Sequence, residues 1–502
     1  MPTTTRTLLR DYRFWLLLLL ATAVRCWQLP QRPLSGDEGY SLLLSQMSLD
    51  DIVHWTALDA HPPLYYFLLH GWLELVGHSV AGVRLLSVLP GVASVFVQAW
   101  LMDLLAGRRT AWLAGLLLAV APFLVRYSQD VRMYSWLALW LWSATLVMVL
   151  WLRSPGRWPL LLLYSALMSA ALYSHYFAGL ALASHWCYLA WLWLRRGRRE
   201  LMAPQWWAAT GLVAVLFVPW LPSLQQQLQH TGWTLGWVPP VTAASLPDLI
   251  WTFTLLGDAH AWPTLLWLAW PLALLAVAIG LLVRRRQALE PAALLVASVL
   301  VPIVLVLAVS WKVSMFYPRY LIYPAGALPL LLALALDQAL ARHKAWAAAG
   351  LAVLAGLSAV GLHALFTGND RVEKLPRADE RVPVVAHYLG ARLQPGDLVL
   401  TDSIYSYARV FFYLPEGVAM QVLAGPQLPF AYGYSGLLYR DGAADLLRSL
   451  DDVPTDVHRL WWLDFAHDAA ALAPFSKGGW RLVDHLQGQT PEVWLYQREA
   501  RP

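Results

Sequence analysis

The chain has 502 residues, of which 59% are hydrophobic and only 13% charged, with a net charge of +5. Soluble globular proteins carry about 25% charged residues, whereas the apolar residues here gather in runs of roughly 16–24, long enough to cross a bilayer as helices. A soluble enzyme is excluded, and the positive charge reads as loop basicity rather than a nucleic-acid surface.

The N-terminus combines Arg6, Arg10 and Arg13 with an apolar stretch and Ala21-Thr22-Ala23, as a signal peptide would. Arg25 follows directly and many more spans come after it, so an uncleaved first helix is expected. The apolar runs predict about eleven transmembrane helices, near 12–29, 81–106, 110–126, 133–152, 158–174, 177–195, 206–222, 262–283, 288–310, 320–340 and 345–366. Basic clusters then fall at every second boundary: Arg6/Arg10/Arg13, Arg108/Arg109, Arg153/Arg157, Arg195/Arg196/Arg198/Arg199, Arg284/Arg285/Arg286 and Arg342/Lys344. The positive-inside rule assigns them, and the N-terminus, to the cytoplasm. The opposite loops, 30–80, 126–132, near 175, 223–261 and 311–319, with everything after 366, are then extracytoplasmic.

In the long loop 30–80, Pro62 to Leu73 is apolar and aromatic but too short to span, which predicts a surface helix beginning near Pro63. The loop 223–261 has a similar character, with Trp233, Trp237, Pro239 and Pro240 before a short helix after Ser245. Arg371, Glu373, Lys374, Asp379, Glu380 and Arg381 open a segment of soluble composition. Its pattern predicts a helix at 384–393 and strands at 398–401, 418–423, 458–464, 479–485 and 492–497. The expected organisation is a membrane domain over 1–366 with the two outer loops, and a soluble α/β domain over 367–502. The cysteines, Cys26 and Cys187, give neither a disulfide framework nor a metal-ligand spacing.

The unusual polar residues all fall on the expected outer side. Asp37 and Glu38 are adjacent acids after the first span, fit to take a proton from an attacking hydroxyl or simply to solvate a helix end. Asp59-Ala60-His61-Pro62-Pro63-Leu64-Tyr65-Tyr66 presents His61 at the start of the surface helix, where an anion is favoured. Arg126-Tyr127-Ser128-Gln129-Asp130-Val131-Arg132-Met133-Tyr134 puts arginines against the positive-inside tendency, so they want a phosphate or an acid, the plain alternative being an internal Asp130–arginine pair. Phe316-Tyr317-Pro318-Arg319-Tyr320-Leu321-Ile322-Tyr323 repeats the theme, as a phosphate contact or an interfacial anchor. Tyr173-Ser174-His175-Tyr176-Phe177 sets His175 in a minimal turn. No Gly-rich phosphate loop, Walker-type lysine or Asp-x-Asp pair is present. Acids and arginines at an outer lipid boundary call for a membrane-borne, phosphate-containing substrate.

Taken together, Gly36-Asp37-Glu38, His61-Pro62-Pro63, Ser128-Gln129-Asp130-Val131-Arg132-Met133-Tyr134, Ser174-His175-Tyr176-Phe177 and Pro318-Arg319-Tyr320 resemble the GT-C membrane glycosyltransferases. The nearest branch looks like the glycosyltransferase 39-like family of protein O-mannosyltransferases and the lipid A aminoarabinose transferase. The resemblance covers roughly 12–340. His61 stands where the aminoarabinose branch often has a lysine. What it implies is a polytopic α-helical GT-C fold with an extracytoplasmic C-terminal α/β domain, in a bacterial cytoplasmic membrane. It further implies inverting transfer of a monosaccharide from a polyprenyl-phosphate-linked donor to an extracytoplasmic acceptor: protein, lipid A or envelope glycan.

By that resemblance Asp37 is the general base and Glu38 its neighbour. Arg132, Arg319, Arg126 and His61 would hold the donor phosphate, whose developing charge they neutralise as it leaves. Tyr65, Tyr66, Tyr127, Gln129, Asp130, Tyr134, His175, Tyr320 and Tyr323 would line the sugar and acceptor pocket. No cofactor is required, a divalent metal being left open, and no nucleic acid is implied. A transporter of lipid-linked glycan would want polar residues at mid-membrane, and a non-catalytic scaffold would leave the acids and arginines without a purpose.

Overall fold

The structure, a computed structural model, describes residues 10–230, 235–257, 263–284, 289–369, 381–415, 417–424, 446–465, 475 and 479–498. Arg6, Arg285, Arg286, Trp233, Arg371, Glu373, Lys374, Asp379 and Glu380 lie outside these residues, as does the side chain of Arg284.

The helices, in chain order, are α1 (Tyr12–Cys26), α2 (Gly36–Ser45), α3 (Leu49–Ala57), α4 (Leu64–Val76), α5 (Val80–Ala106), α6 (Arg108–Ala119), α7 (Pro122–Ser128), α8 (Tyr134–Arg153), α9 (Trp158–Ser174) and α10 (Ala178–Arg196). They continue with α11 (Pro204–Phe217), α12 (Leu221–Gln229), α13 (Ser245–Leu255), α14 (Thr264–Arg284), α15 (Leu289–Ser310), α16 (Ile322–Leu340), α17 (Lys344–Phe366), α18 (Val382–Gly390) and α19 (Ile404–Val410). Among the described residues, each apolar run expected to span the membrane is mainly helical. Among the described residues, 7 helices are long and apolar enough to cross a membrane, or 8 if the bent pair α6–α7 is one span. The chain is a polytopic helical membrane protein.

By its contacts the chain divides into two compact units: Met1–Leu29, His61–Tyr65 and Arg84–Lys374 form one, and Pro30–Ala60, Tyr66–Val83 and Leu375–Pro502 the other. The second unit therefore takes in most of the 30–80 segment, which the sequence had assigned to the membrane domain. That segment holds α4, at the place of the expected surface helix, and also α2 and α3, which were not expected.

In the first unit most of α8 and α16 is buried, whereas α14 and α17 leave most of their apolar side chains exposed, as lipid-facing helices do. A polar knot ties five helices together. The His185 ring meets Tyr164 at 2.9 Å and Thr145 at 2.9 Å, and the Tyr323 hydroxyl bonds Thr145 and Ser298, each at 3.0 Å. Away from water such groups hold together only when mutually satisfied. The bend of 60° between α6 and α7 has a local cause. Pro122 opens α7, and a proline drives the preceding residue out of the helical region, where Ala121 sits at φ −68°, ψ 110°.

In the second unit the strands are β1 (Leu398–Thr401), β2 (Ala419–Leu423), β3 (Leu446–Leu447), β4 (Arg459–Asp464), β5 (Trp480–Leu486) and β6 (Glu492–Arg498). They form one sheet in the order β3-β2-β1-β4-β6-β5. β1 runs parallel to β2 and β4, while β6 is antiparallel to β4 and β5. All four residues of β1 are buried, as a central parallel strand covered on both faces requires. Trp462, Phe475, Trp480 and Tyr496 fill the core under the sheet, with the Phe475 and Tyr496 rings stacked at 4.4 Å. The predicted strands are all present; the two-residue β3 is additional.

Candidate active site

The candidate residues separate between the units, and each set is built by local rules. Asp37 and Glu38 sit in the first turn of α2, not in a loop. Ser35 is its N-cap: the Ser35 hydroxyl accepts the Glu38 N–H at 3.2 Å, and the Glu38 carboxylate accepts the Ser35 N–H at 2.9 Å. This reciprocal capping box satisfies two donors that a helix start otherwise leaves open. Glu38 is buried and Asp37 half-buried. Both acids lie in the first turn, where a negative side chain stabilises a helix. Tyr66 also belongs to this unit, its ring edge-on to Tyr40 at 6.3 Å.

α2 lies against α19 of the sheet domain. A Cβ on Gly39 would stand 1.8 Å from the Ala408 carbonyl oxygen, and one on Gly36 would stand 3.3 Å from the Tyr405 ring. Only glycine allows the first approach. The Tyr405 phenol is pushed above its ordinary value by burial, then by the carboxylates of Asp37 and Asp59.

The first unit carries the cations. His61, Arg126, Arg132, His175 and Arg319 are all more than nine-tenths buried. The His61 and His175 rings lie 5.5 Å apart, and His175 packs on Tyr134 at 6.0 Å and Tyr320 at 5.3 Å. The Arg319 guanidinium sits among Trp237, Tyr317, Tyr320 and Tyr134, 5.1–5.9 Å from each ring centroid, a geometry in which aromatic faces hold a cation. Pro318 begins the short 3-10 turn that points Arg319 this way, and Tyr317 before it is extended, as a residue preceding proline must be. His175 breaks the chain between α9 and α10 in an extended conformation, its Nδ1 accepting the Phe177 N–H at 3.2 Å. Burial first, then the charges of His61, Arg319 and Arg132, hold His175 well below the ordinary histidine value.

The other candidates in this unit have varied surroundings. Arg126 pairs with Asp130 at 3.5 Å, the internal pair that the sequence offered as the plain reading, and its guanidinium lies 5.6 Å from the Tyr127 ring. Tyr127 meets Tyr134 at 5.1 Å. The Gln129 amide is committed to the carbonyls of Arg25 and Trp27, at 2.9 and 2.8 Å, where it ties the end of α1 to the turn. Tyr65 is buried in the same unit. Tyr323 lies a turn deeper, its hydroxyl engaged in the polar knot. Tyr320 and Tyr323 line a small cavity with Leu137, Leu141, Phe177 and Leu180.

Sequence reasoning gave Trp237 no role at the site, although it covers Arg319, because it enters from a distant loop that no local pattern links to Arg319. It also passed over Arg25 and Arg84, which are 1% and 2% exposed. Arg25 donates to the carbonyls of Leu118 and Ala119, and Arg84 to that of Leu29. A lone arginine inside an apolar stretch was the available signal. Among the described residues no group of three or more His, Cys, Asp or Glu side chains is placed to hold a metal ion.

The comparisons with known proteins agree with this architecture. Residues 60–222 match the family model of the dolichyl-phosphate-mannose-protein mannosyltransferases. No curated protein matches the chain in sequence. In structure the chain is similar to ArnT from Cupriavidus metallidurans in the apo state, at a TM-score of 0.63 and 16% identity over 96% of this chain and 97% of that one. The same protein bound to undecaprenyl phosphate gives 0.63 and 17%, with the same coverage. The oligosaccharyltransferase of Archaeoglobus fulgidus in the apo form gives 0.52 and 12%, over 90% of this chain and 70% of that one. The fold is that of the GT-C glycosyltransferases.

Proposed function

We propose that the chain is an inverting glycosyltransferase that moves a monosaccharide from a polyprenyl-phosphate-linked donor to an acceptor hydroxyl outside the cytoplasmic membrane. The single observation that carries this reading is the basket of His61, Arg132, His175 and Arg319, buried together and walled by Tyr134, Tyr320, Tyr317 and Trp237. A phosphate would answer cations gathered in this way with charge-assisted hydrogen bonds. The similarity to a protein that binds undecaprenyl phosphate supports the same class of donor.

In the proposed reaction the acceptor oxygen attacks the anomeric carbon on the face opposite the phosphate. The bond from that carbon to the phosphate oxygen breaks, and the configuration inverts. The acceptor proton passes to the Asp37 carboxylate, and the polyprenyl phosphate leaves with its charge neutralised by Arg132 and Arg319, with Arg126 and His61 beside them. With Nδ1 accepting from the Phe177 N–H, a neutral His175 has its Nε2–H to donate to the phosphate. Glu38 serves chiefly as the cap that fixes the turn bearing Asp37. In this reading the N-terminus is cytoplasmic, the helix ends bearing these residues are outside, and about eleven spans accompany an extracytoplasmic sheet domain, an orientation that the positive-inside rule supports.

The test is transfer from a panel of polyprenyl-phosphate sugars to envelope extracts by the purified protein and by Asp37→Asn. Label that moves only with the unmodified protein supports the reading and names the sugar. Transfer by Asp37→Asn at the unmodified rate removes Asp37 from its role, and no transfer or donor cleavage by a folded wild-type protein removes the donor class.

A further inference from the structure

We propose that the carboxyl edge of the sheet at β1, with Tyr405 and Asp402, is the acceptor-binding subsite of this protein, and that it takes a carbohydrate. The inference begins with topology. The chain runs outward from β1 to β2 to β3, then returns to the other side of β1 as β4, and β1 is parallel to both neighbours. The β1–β4 boundary is therefore the point where the strand order reverses, and open α/β sheets bind ligands there, at the carboxyl ends of the strands. The loop leaving β1 is Thr401-Asp402-Ser403, and it feeds α19 directly. Ser403 caps α19 by accepting the Ser406 N–H at 3.2 Å, which fixes the turn.

Two features of this turn suit a ligand. Oδ1 of Asp402 is buried and has no hydrogen-bond partner among the described residues, and an orphaned carboxylate oxygen is costly unless something donates to it. Tyr405 is 53% exposed, although its ring edge rests on Gly36 at the start of α2, one residue from Asp37. An open aromatic face beside carboxylate acceptors is how proteins take a sugar: the ring covers its C–H face and the carboxylates receive its hydroxyls. A peptide would instead ask for partners to its N–H and C=O groups. The raised phenol value keeps Tyr405 protonated, so it can also donate. The subsite adjoins the turn that carries Asp37 within one compact unit, where an acceptor hydroxyl would have to arrive. The assignment rests on the transferase reading for its purpose, but not for its ligand.

The experiment measures binding to the purified full chain in detergent. The probes are a panel of neutral oligosaccharides, a panel of Ser/Thr-containing peptides, and undecaprenyl phosphate. Wild type, Tyr405→Phe, Tyr405→Ala and Asp402→Asn are compared, each checked for an unchanged melting transition. An oligosaccharide should bind wild type and lose about tenfold in affinity in Asp402→Asn and Tyr405→Ala, with a smaller loss in Tyr405→Phe, because the ring face remains. Undecaprenyl phosphate binding should be the same in all four. Oligosaccharide binding that is absent from wild type, or equal in every variant, overturns the proposal, as does binding of peptides alone. Failure of wild type to bind undecaprenyl phosphate would strike the donor reading and leave this subsite standing.

Discussion

The Cα of Gly39 faces the carbonyl oxygen of Ala408 so closely that a Cβ would stand 1.8 Å from it. The helix bearing Asp37 is thus laid directly on a helix of the sheet domain, and residues more than three hundred positions apart share one packing surface. Gly39→Ala must push α2 off α19, and overpacking of this kind costs about 1–3 kcal/mol. The expected outcome is a lower melting temperature together with reduced transfer, although every candidate catalytic side chain is intact. Unchanged melting and turnover would show that the two helices do not hold this register.

Asp37 and Glu38 are adjacent in sequence but unequal in structure. Glu38 is bonded back to the Ser35 N–H, and glutamine can make the same bond. Glu38→Gln should therefore keep most of the transfer activity, while Glu38→Ala should lose about 1 kcal/mol of stability. Asp37→Asn should keep the fold and remove the proposed proton acceptor, so turnover should fall by about 10²–10⁴. Steady-state rates and thermal melts of the three variants separate the roles. Equal loss in Glu38→Gln and Asp37→Asn would make Glu38 part of the chemistry.

Much of this was written in the sequence. Continuous apolar runs give helices regardless of partners, because lipid leaves the backbone no alternative. The strands of the sheet domain were visible for the same local reason, and β3, at two residues, was too short to leave a pattern. Reading 30–80 as loop overlooked two local signals that were present: Ser35-Gly36-Asp37-Glu38 is a capping box, and Ser48 caps α3. What could not be seen was long-range. Nothing near Trp237 points to Arg319, and nothing near Gly39 points to Ala408, since each contact joins distant segments whose proximity only the fold decides.

Arg319 is the cation most enclosed by aromatic rings, and its planar guanidinium fits that enclosure better than an ammonium would. A hydrogen bond to a charged group contributes about 1.5–3 kcal/mol, so Arg319→Ala should weaken undecaprenyl phosphate binding about 10- to 100-fold. Arg319→Lys should recover only part of that, and Trp237→Ala should lose less than Arg319→Ala. Titration of the purified variants with undecaprenyl phosphate decides the matter. Affinity indifferent to Arg319 would place the phosphate elsewhere.

His175 supplies a pH dependence with a definite sign. Its folded value lies below the ordinary one of about 6.5, because burial and the neighbouring cations oppose a second charge there. The unfolded chain takes the proton first as the pH falls, so the contribution of neutral His175 to stability is complete above about pH 6.5 and declines below it, toward the folded value. Melting of the wild-type protein should drop between pH 7.5 and pH 5, within the range of about 5–8 over which histidine titrates. His175→Asn, which cannot charge, should flatten that drop. Undecaprenyl phosphate should flatten it too, since an anion in the basket offsets the cations that keep the imidazole neutral. An acid slope that neither the substitution nor the lipid phosphate changes would mean that His175 does not share its surroundings with the bound anion, and the basket would lose its claim to be the phosphate site.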